Sequence, residues 1–578
     1  MEKQKMPSAE KKWVDTSKDH LYSNLNPNMK MVDLIYEQNK DHMDDIAINF
    51  LGERITFEQL FENIDKVVKS LKKCGVSEGD VLPFIVATVP EAAYLLLAAN
   101  TIGATACMID PRLNEFRVLN DIGNTDAELL ISLRNAAKAI KKVKDATTVN
   151  EIVLLSALNS IKNPIIKGLT NISDYIKGDY IKDAKNWKNF INEGKTEDIV
   201  APKYLENTGA AIVFTGGTTG VHKGVVLSNE AINTTVLEHR YLIDGVERGE
   251  KFLDILPPFI AYGLTSLHLS LSYGLETILN PIPDPAKFGQ QISNSHAAIA
   301  FGGPIHWEAV TQDPNVTKYD FSNLKFPVSG GEKLNVETAK KIDKVLFERG
   351  SKSGIYDGYG ASECCGVFSL YQPSKNTDGT VGHPLRFNDM KIIDSDSLEE
   401  LNYNEHGEIC ISGPSLMIEY LKNPEETEKV FFKDESGKKW LRTGDLGYIN
   451  KKGELTITGR LKRIFVCGVN KVYPPEMESL IMTFPEVRKC VVTGVADEKL
   501  RTVPKVHLIL ENNAIDTEDL YQRINNAISE KIAKEVVPKY YQIDEDFLYT
   551  GSGKVDYKKM EQIDNLEAKD IKTLNKKF

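Results

Sequence analysis

The chain has 578 residues, 41% of them apolar and 26% charged, and a formal net charge of −11. That length predicts roughly two to four domains, and the apolar share excludes a disordered chain. The acidic balance excludes a nucleic-acid partner, which needs a basic face, but leaves room for a local basic site that meets a phosphorylated ligand.

In chain order, the N-terminal segment is polar and lacks the apolar stretch of an export signal. Residues 57–71 have helical spacing, 74–80 form a turn, and 81–88 are an apolar run. Pro90 opens a further helix, and 103–109 read as the next strand. Such alternation predicts an α/β fold with mainly parallel sheets. Two long uncharged stretches, 92–109 and 255–275, are broken by Asn100, Gly103, Pro257, Pro258, Gly263 and His268. They predict buried helix-plus-strand segments and no transmembrane span. Residues 133–200 are lysine-rich and predict peripheral helices and loops. From about 380, short strands at 390–393, 407–412 and 454–458 predict a β subdomain. After Gly459 an α+β pattern follows, with strands at 490–495 and 505–510 and a helix at 516–534. Residues 562–578 are a charged helix or frayed tail. The seven cysteines show no CxxC or zinc-like spacing, which predicts reduced thiols in a cytoplasmic protein.

The segment at 210–214 is a buried-strand pattern that runs into Thr215-Gly-Gly-Thr-Thr-Gly-Val-His-Lys-Gly224. Glycines let backbone approach an anion, hydroxyls and amides donate, and Lys223 adds positive charge. Composition alone also allows a Gly/Thr-rich hairpin. The loop is not a Walker A motif, because Val221 and His222 separate Gly220 from the lysine.

The loop resembles the signature of the adenylate-forming, AMP-binding enzyme superfamily, which includes acyl-CoA synthetases. That pattern is Thr-Ser-Gly-Ser/Thr-Thr-Gly-x-Pro-Lys-Gly, and this chain departs from it at Gly216 and His222. Four further motifs follow in the family's order: Ser329-Gly-Gly-Glu-Lys-Leu334, Asp357-Gly-Tyr-Gly-Ala-Ser-Glu363, Thr443-Gly-Asp445 and the segment from Gly459 to Glu478. A last one, Gly551-Ser-Gly-Lys554, stands near the end. The resemblance covers about residues 30 to 560.

The resemblance implies a large N-terminal body (1–458) of stacked mixed and parallel sheets with helices and a β subdomain. It further implies a hinge (459–463) and a small mobile α+β lid (464–578) carrying the catalytic lysine. Thr215, Gly216, Gly217, Thr218, Thr219, Gly220 and Lys223 are then expected around the ATP phosphates. Gly331, Glu332, Lys333, Asp357, Gly358, Tyr359, Gly360 and Ser362 are expected about adenine and the α-phosphate. Asp445 and Arg460 are expected at the ribose. Glu363, with Thr215, is expected to hold Mg²⁺, for which one carboxylate plus phosphates suffices. Lys554 is the expected catalytic lysine, Lys462 the hinge residue and Gly468 the coenzyme A channel residue. Phe259, Ile260, Gly302, Gly303, Gly330 and Ala361 are expected to line the acyl pocket. Adenylation domains of peptide synthetases place an Asp in the segment matching 257–263; this chain has none there, which disfavours an α-amino acid.

The implied activity is ATP-dependent carboxylate–CoA ligation, with ATP, Mg²⁺ and coenzyme A, on an apolar acyl or aryl acid. The alternatives are an adenylating enzyme that loads a separate carrier protein, and a non-catalytic nucleotide-binding relative. Oligomeric state is left open.

Overall fold

The computed structural model describes residues 6–14, 26–161, 181, 183–199, 201–215, 222–240, 242–243, 245–281, 283–332, 334, 336–372, 380–468, 470–497, 499–511, 514, 518–549 and 554–569. Among these, the strands form five sheets.

Two eight-stranded sheets make the body. In the first, Val81–Ile85, Thr105–Ile109, Leu129–Leu133, Glu151–Leu155 and Gly209–Thr215 run parallel. In the second, Ile46–Phe50, Lys251–Asp254, Glu276–Leu279, Ile299–Gly302, Phe326–Gly330 and Tyr356–Tyr359 do so. Antiparallel strands close one end of the first sheet, Lys223–Ser228 and then Glu419–Tyr420, and both ends of the second, Glu53–Thr56 and Ser369–Tyr371.

The stretch 92–109 is a buried helix followed by strand Thr105–Ile109, as expected, whereas 255–275 holds a buried helix and no strand, the flanking strands ending at Asp254 and starting at Glu276. Pro90–Ile102 packs on strands of the first sheet, and Ala261–Ser272 on strands of the second. Pro90–Ile102 is buried almost all round, which explains why its sequence lacks an amphipathic face. Gly103, at φ +82°, ends it where a Cβ would press on Glu78 and Pro202. The polar interruptions satisfy buried groups. Asn100 Oδ1 accepts from Val32 N–H at 3.1 Å, and Asn100 Nδ2 donates to Asn229 Oδ1 at 2.8 Å. His268 Nε2 meets Asn233 Oδ1 at 2.8 Å, and burial lowers its pKa to about 3, so the ring is neutral. No helix among the described residues is long and apolar enough to cross a membrane.

The β subdomain is a five-stranded sheet of Asp389–Ile393, Gly407–Ser412, Lys439–Ile449, Phe431–Lys433 and Leu455–Arg460. Beyond it lies a small unit with its own core, including Val472, Met477, Ile481, Val506, Leu508, Ile524 and Ile528. Its sheet joins Val487–Asp497, Arg501–Leu510 and Tyr540–Ile543, flanked by helices Pro474–Ile481, Glu518–Lys531 and Tyr557–Lys569. Much of the lysine-rich 133–200 segment, namely 162–180, and the tail from 570 lie outside the described residues.

Candidate active site

Strands Gly209–Thr215 and Lys223–Ser228 pair antiparallel, with Thr215 opposite Lys223. The loop between them, including Gly216, Gly217, Thr218, Thr219 and Gly220, lies outside the described residues, as does Lys333. Gly224 follows the loop because a Cβ there would crowd Ile212 and Leu421 at 3.1–3.2 Å.

Lys223 Nζ forms an ion pair with Glu426 and stands 4.6 Å from the centroid of the Tyr420 ring. The hydrogen bond from Lys223, with help from Lys429, pulls the Glu426 carboxyl down to about 2. Tyr420 Oη in turn donates to Glu363 Oε1 at 2.6 Å. Tyr420 therefore joins the expected phosphate lysine to the expected metal carboxylate. Nothing in the 215–224 motif points to it, because it arrives on an edge strand, Glu419–Tyr420, paired with Lys223–Ser228. The turn Ser362–Cys364 packs on both loop strands, which brings Glu363 toward Thr215. Gly360 precedes it because a Cβ would stand 2.4 Å from the Gly366 carbonyl oxygen.

His222 occupies the usual proline position. Its Nδ1 faces Asp121 Oδ2 at 3.2 Å and its Nε2 faces Arg117 Nη1 at 3.2 Å. A guanidinium only donates, so Nε2 accepts from Arg117 and Nδ1 donates to Asp121.

Asp445 is buried and fully engaged. Tyr359 Oη donates to Oδ2 at 2.8 Å, and Arg460 Nε lies 2.9 Å from Oδ1. The Asp445 charge raises the Arg460 pKa against opposing desolvation. Burial, then the same carboxylate, pushes the Tyr359 phenol far above its ordinary value. The buried Asp357 accepts from Leu334 N–H at 3.1 Å, so it braces the turn at 331–334. Gly331 supplies the φ of +90° that this turn needs. Gly358 has ordinary space around it.

Of the residues expected to line an acyl pocket, Phe259 is buried, with the Arg112 guanidinium 5.3 Å from its ring centroid. Ile260 precedes helix Ala261–Ser272 and is half-buried, as is Ala361. The Tyr262 ring stacks on Phe301, with centroids 5.3 Å apart and planes 18° apart. A Cβ on Gly330 would reach within 2.8 Å of the Tyr262 ring, and one on Gly302 would meet Phe288 and His306 at 3.2 Å. Gly303 lies beside the Gly330 carbonyl and donates to His306 Nδ1 at 3.2 Å. Burial raises Asp254 to about 8, leaving it uncharged at neutral pH. Tyr262 was not among the residues expected from sequence, although it lies in the same 257–263 segment.

The small unit delivers Lys554 to this cleft. Lys554 is exposed at its surface but set among crowded groups. Desolvation, then the Arg460 charge, lowers its pKa, while Glu332, Asp445 and Glu363 oppose the shift. The neighbouring Val555 N–H donates to Glu332 Oε1 of the body at 3.1 Å. Lys462 is exposed in the short turn Leu461–Arg463. The next residue, Arg463, is already tied to the small unit, by Glu478 at 2.6 Å and by the Tyr557 ring. Gly468 turns the hairpin Phe465–Cys467/Asn470–Val472 at φ +64°. Among the described residues no group of three or more His, Cys, Asp or Glu could hold a metal.

The sequence model of the AMP-binding enzyme family matches residues 35–421, and that of the AMP-binding enzyme C-terminal domain matches 476–554. The long-chain-fatty-acid–CoA ligase of Bacillus subtilis (strain 168) is 29% identical over 537 residues, spanning 92% of this chain and 93% of its own. The 4-coumarate–CoA ligase 1 of Petroselinum crispum is 27% identical over 500 residues, 84% of each chain. The anthranilate CoA ligase AuaEII in complex with anthranoyl-AMP superposes with a TM-score of 0.79 at 20% identity, covering 95% of this chain and 99% of its own. That fold agrees with the stacked-sheet body and small C-terminal unit described above. The first family model alone spans more than half of the sequence, and the chain belongs to the AMP-binding enzyme family.

Proposed function

We propose that the protein is an ATP-dependent carboxylate–CoA ligase that forms an acyl-AMP and then an acyl-CoA thioester. One observation carries the reading: Lys554, from the small unit, shares a cleft with Arg460, Asp445 and Glu363. CoA ligases are also prominent among its curated relatives.

In the first half-reaction a carboxylate oxygen attacks the α-phosphorus of ATP, and pyrophosphate leaves. Two anions must approach, so positive charge is the main requirement. Lys554 lies between carboxylate and α-phosphate. Lys223 meets the β- and γ-phosphates once it exchanges Glu426 for them. Tyr359 and Ser362 flank adenine and the α-phosphate, and Asp445 accepts from the ribose hydroxyls, with Arg460 beside it. Glu363 and Thr215 offer the hard oxygen donors that Mg²⁺ takes alongside phosphates, and the ion would neutralise phosphate charge. In the second half-reaction a CoA thiol attacks the acyl carbonyl, the thiol proton is lost to solvent, and AMP leaves. The small unit turns about Lys462 between the halves, and Gly468 lies on the thiol's route.

Aromatic and apolar walls from Phe259, Ile260, Tyr262 and Phe301, with glycines 302, 303 and 330 and Ala361, favour an apolar acyl or aryl acid. The seven free thiols support a reducing, cytoplasmic setting. The test is a panel of fatty acids, 4-coumarate and anthranilate with ATP, Mg²⁺ and CoA, scored by AMP and thioester formation. Acid-dependent AMP and thioester are expected. AMP formation without a thioester would point to a different acceptor, and no acid-dependent AMP would overturn the reading.

A further inference from the structure

We propose that Glu332, supported by Glu308, is a docking seat on the body that positions the Lys554 loop, and not a nucleotide contact. The inference rests on the reading of Lys554 as the adenylation lysine.

Glu332 stands on a rigid mount. It follows strand Phe326–Gly330 of the second sheet, and its turn is braced by Asp357 through Leu334 N–H. Its Oε1 is committed to the Val555 amide, a partner 223 positions away and adjacent to Lys554. A hydrogen bond to the backbone beside a catalytic side chain sets where that side chain points. Among the described residues, the chain beside Lys554 is also tied to its own unit, through the Tyr549–Val555 bridge and the bond from Asp556 N–H to the Leu548 carbonyl.

A second acid completes the seat. Glu308, on helix Pro304–Gln312, lies 3.5 Å from Lys489 Nζ of the small unit. Glu308 also lies close enough to repel Glu332. Desolvation first, and Glu308 as a lesser cause, raise the Glu332 pKa, while Val555 N–H, Lys554 and Lys489 pull it down. The two carboxylates therefore oppose each other until the small unit brings its amide and ammonium groups. Docking relieves that repulsion, which favours the orientation with Lys554 in the cleft. The same contacts must break before the unit can turn for thioester formation. A third bridge, Lys341 to Glu511 at 3.7 Å, is exposed and contributes little.

The test uses the full-length enzyme and the panel acid with the highest rate. Pyrophosphate release reads the first half-reaction, and supplied acyl-AMP with CoA reads the second. Glu332→Ala should lower kcat for adenylation about tenfold, the scale of one lost hydrogen bond to a charged group, with KM for ATP unchanged. Thioester formation should hold or quicken. Glu332→Gln keeps an acceptor for Val555 N–H and should fall between Ala and the native enzyme. In a Lys554→Ala background, Glu332→Ala should slow adenylation no further. Hydrogen exchange of peptides covering 554–560 should quicken in Glu332→Ala. A raised KM for ATP with kcat kept, equal loss in both half-reactions, or unchanged exchange would each overturn the seat. If Lys554→Ala alone leaves adenylation intact, the reading of Lys554 fails instead, and exchange still reports whether Glu332 docks the loop.

Discussion

At the scale of single residues, the cleft is held together by a few charged side chains that neutralise one another. Lys223 rests on Glu426, and Arg460 rests on Asp445. Nucleotide must compete for these partners, so the residues between them matter. Tyr420→Phe removes the hydroxyl bound to Glu363 but keeps the ring beside Lys223. We expect a several-fold rise in KM for ATP with little change in thermal stability, because the hydroxyl is worth about 1–3 kcal/mol. Lys554→Ala should cost about 10²-fold or more in adenylation, while supplied acyl-AMP is still converted to thioester. Lys554 must be protonated to attract two anions, and its folded pKa is lowered. The adenylation rate should therefore fall as pH rises through a value below the ordinary lysine range. A profile that stays flat to the ordinary range would contradict this placement of Lys554.

At the scale of elements, the helix after Lys554 is pinned by buried charge. In helix Tyr557–Lys569, Asp564 accepts from Lys505 Nζ at 2.5 Å and Thr493 Oγ1 at 2.6 Å. His507 sits between Asp564 and Asp544, at 2.9 Å from each. The two carboxylates outweigh burial and the Lys505 charge, and so raise the His507 pKa. The bond from His507 leads the groups that lower Asp564 against desolvation. For His507, the raised folded value gives stability that is present below the ordinary 6.5 and lost as pH rises through the folded value. For Asp564, the lowered value gives stability present above 3.8 and lost as pH falls through its folded value. Thermal unfolding of the full chain should show a small-unit transition that is most stable between these limits. His507→Gln should remove the alkaline limb, and Asp564→Ala should cost about 3–5 kcal/mol by taking one partner out of the buried Lys505–Asp564 ion pair.

At the scale of the whole molecule, the polar contacts between the two units among the described residues include Glu332 with Val555, Glu308 with Lys489, and Lys341 with Glu511. Such an interface suits the turning of the small unit that is proposed above. Ion pairs of this kind weaken with salt. Raising ionic strength from about 0.1 M to about 1 M shortens the screening length from about 10 Å to about 3 Å. Adenylation should then slow more than thioester formation from supplied acyl-AMP, in parallel assays of one preparation. Equal sensitivity would mean that these pairs do not select the orientation.

The sequence by itself determined the family, the alternation of strands and helices and the β subdomain, and it supplied the candidate residues for phosphate, ribose and metal. Those features are local: a strand period, a glycine where a Cβ would collide, a hydroxyl or carboxylate at a fixed spacing. Only the tertiary structure decided what each side chain touches. Tyr420 and Glu426 come from a segment some 200 residues beyond Lys223, Tyr420 on a strand that pairs with Lys223–Ser228 and Glu426 on the helix Pro424–Val430 that follows it. Tyr262 lies against Phe301 and Gly330 because parallel strands set those two residues side by side. Glu332 reads as one more residue of a glycine-rich turn until folding sets it under the amide of Val555. Spacing along a chain records which groups are available, whereas their pairing depends on sheet order and on how the small unit sits against the body.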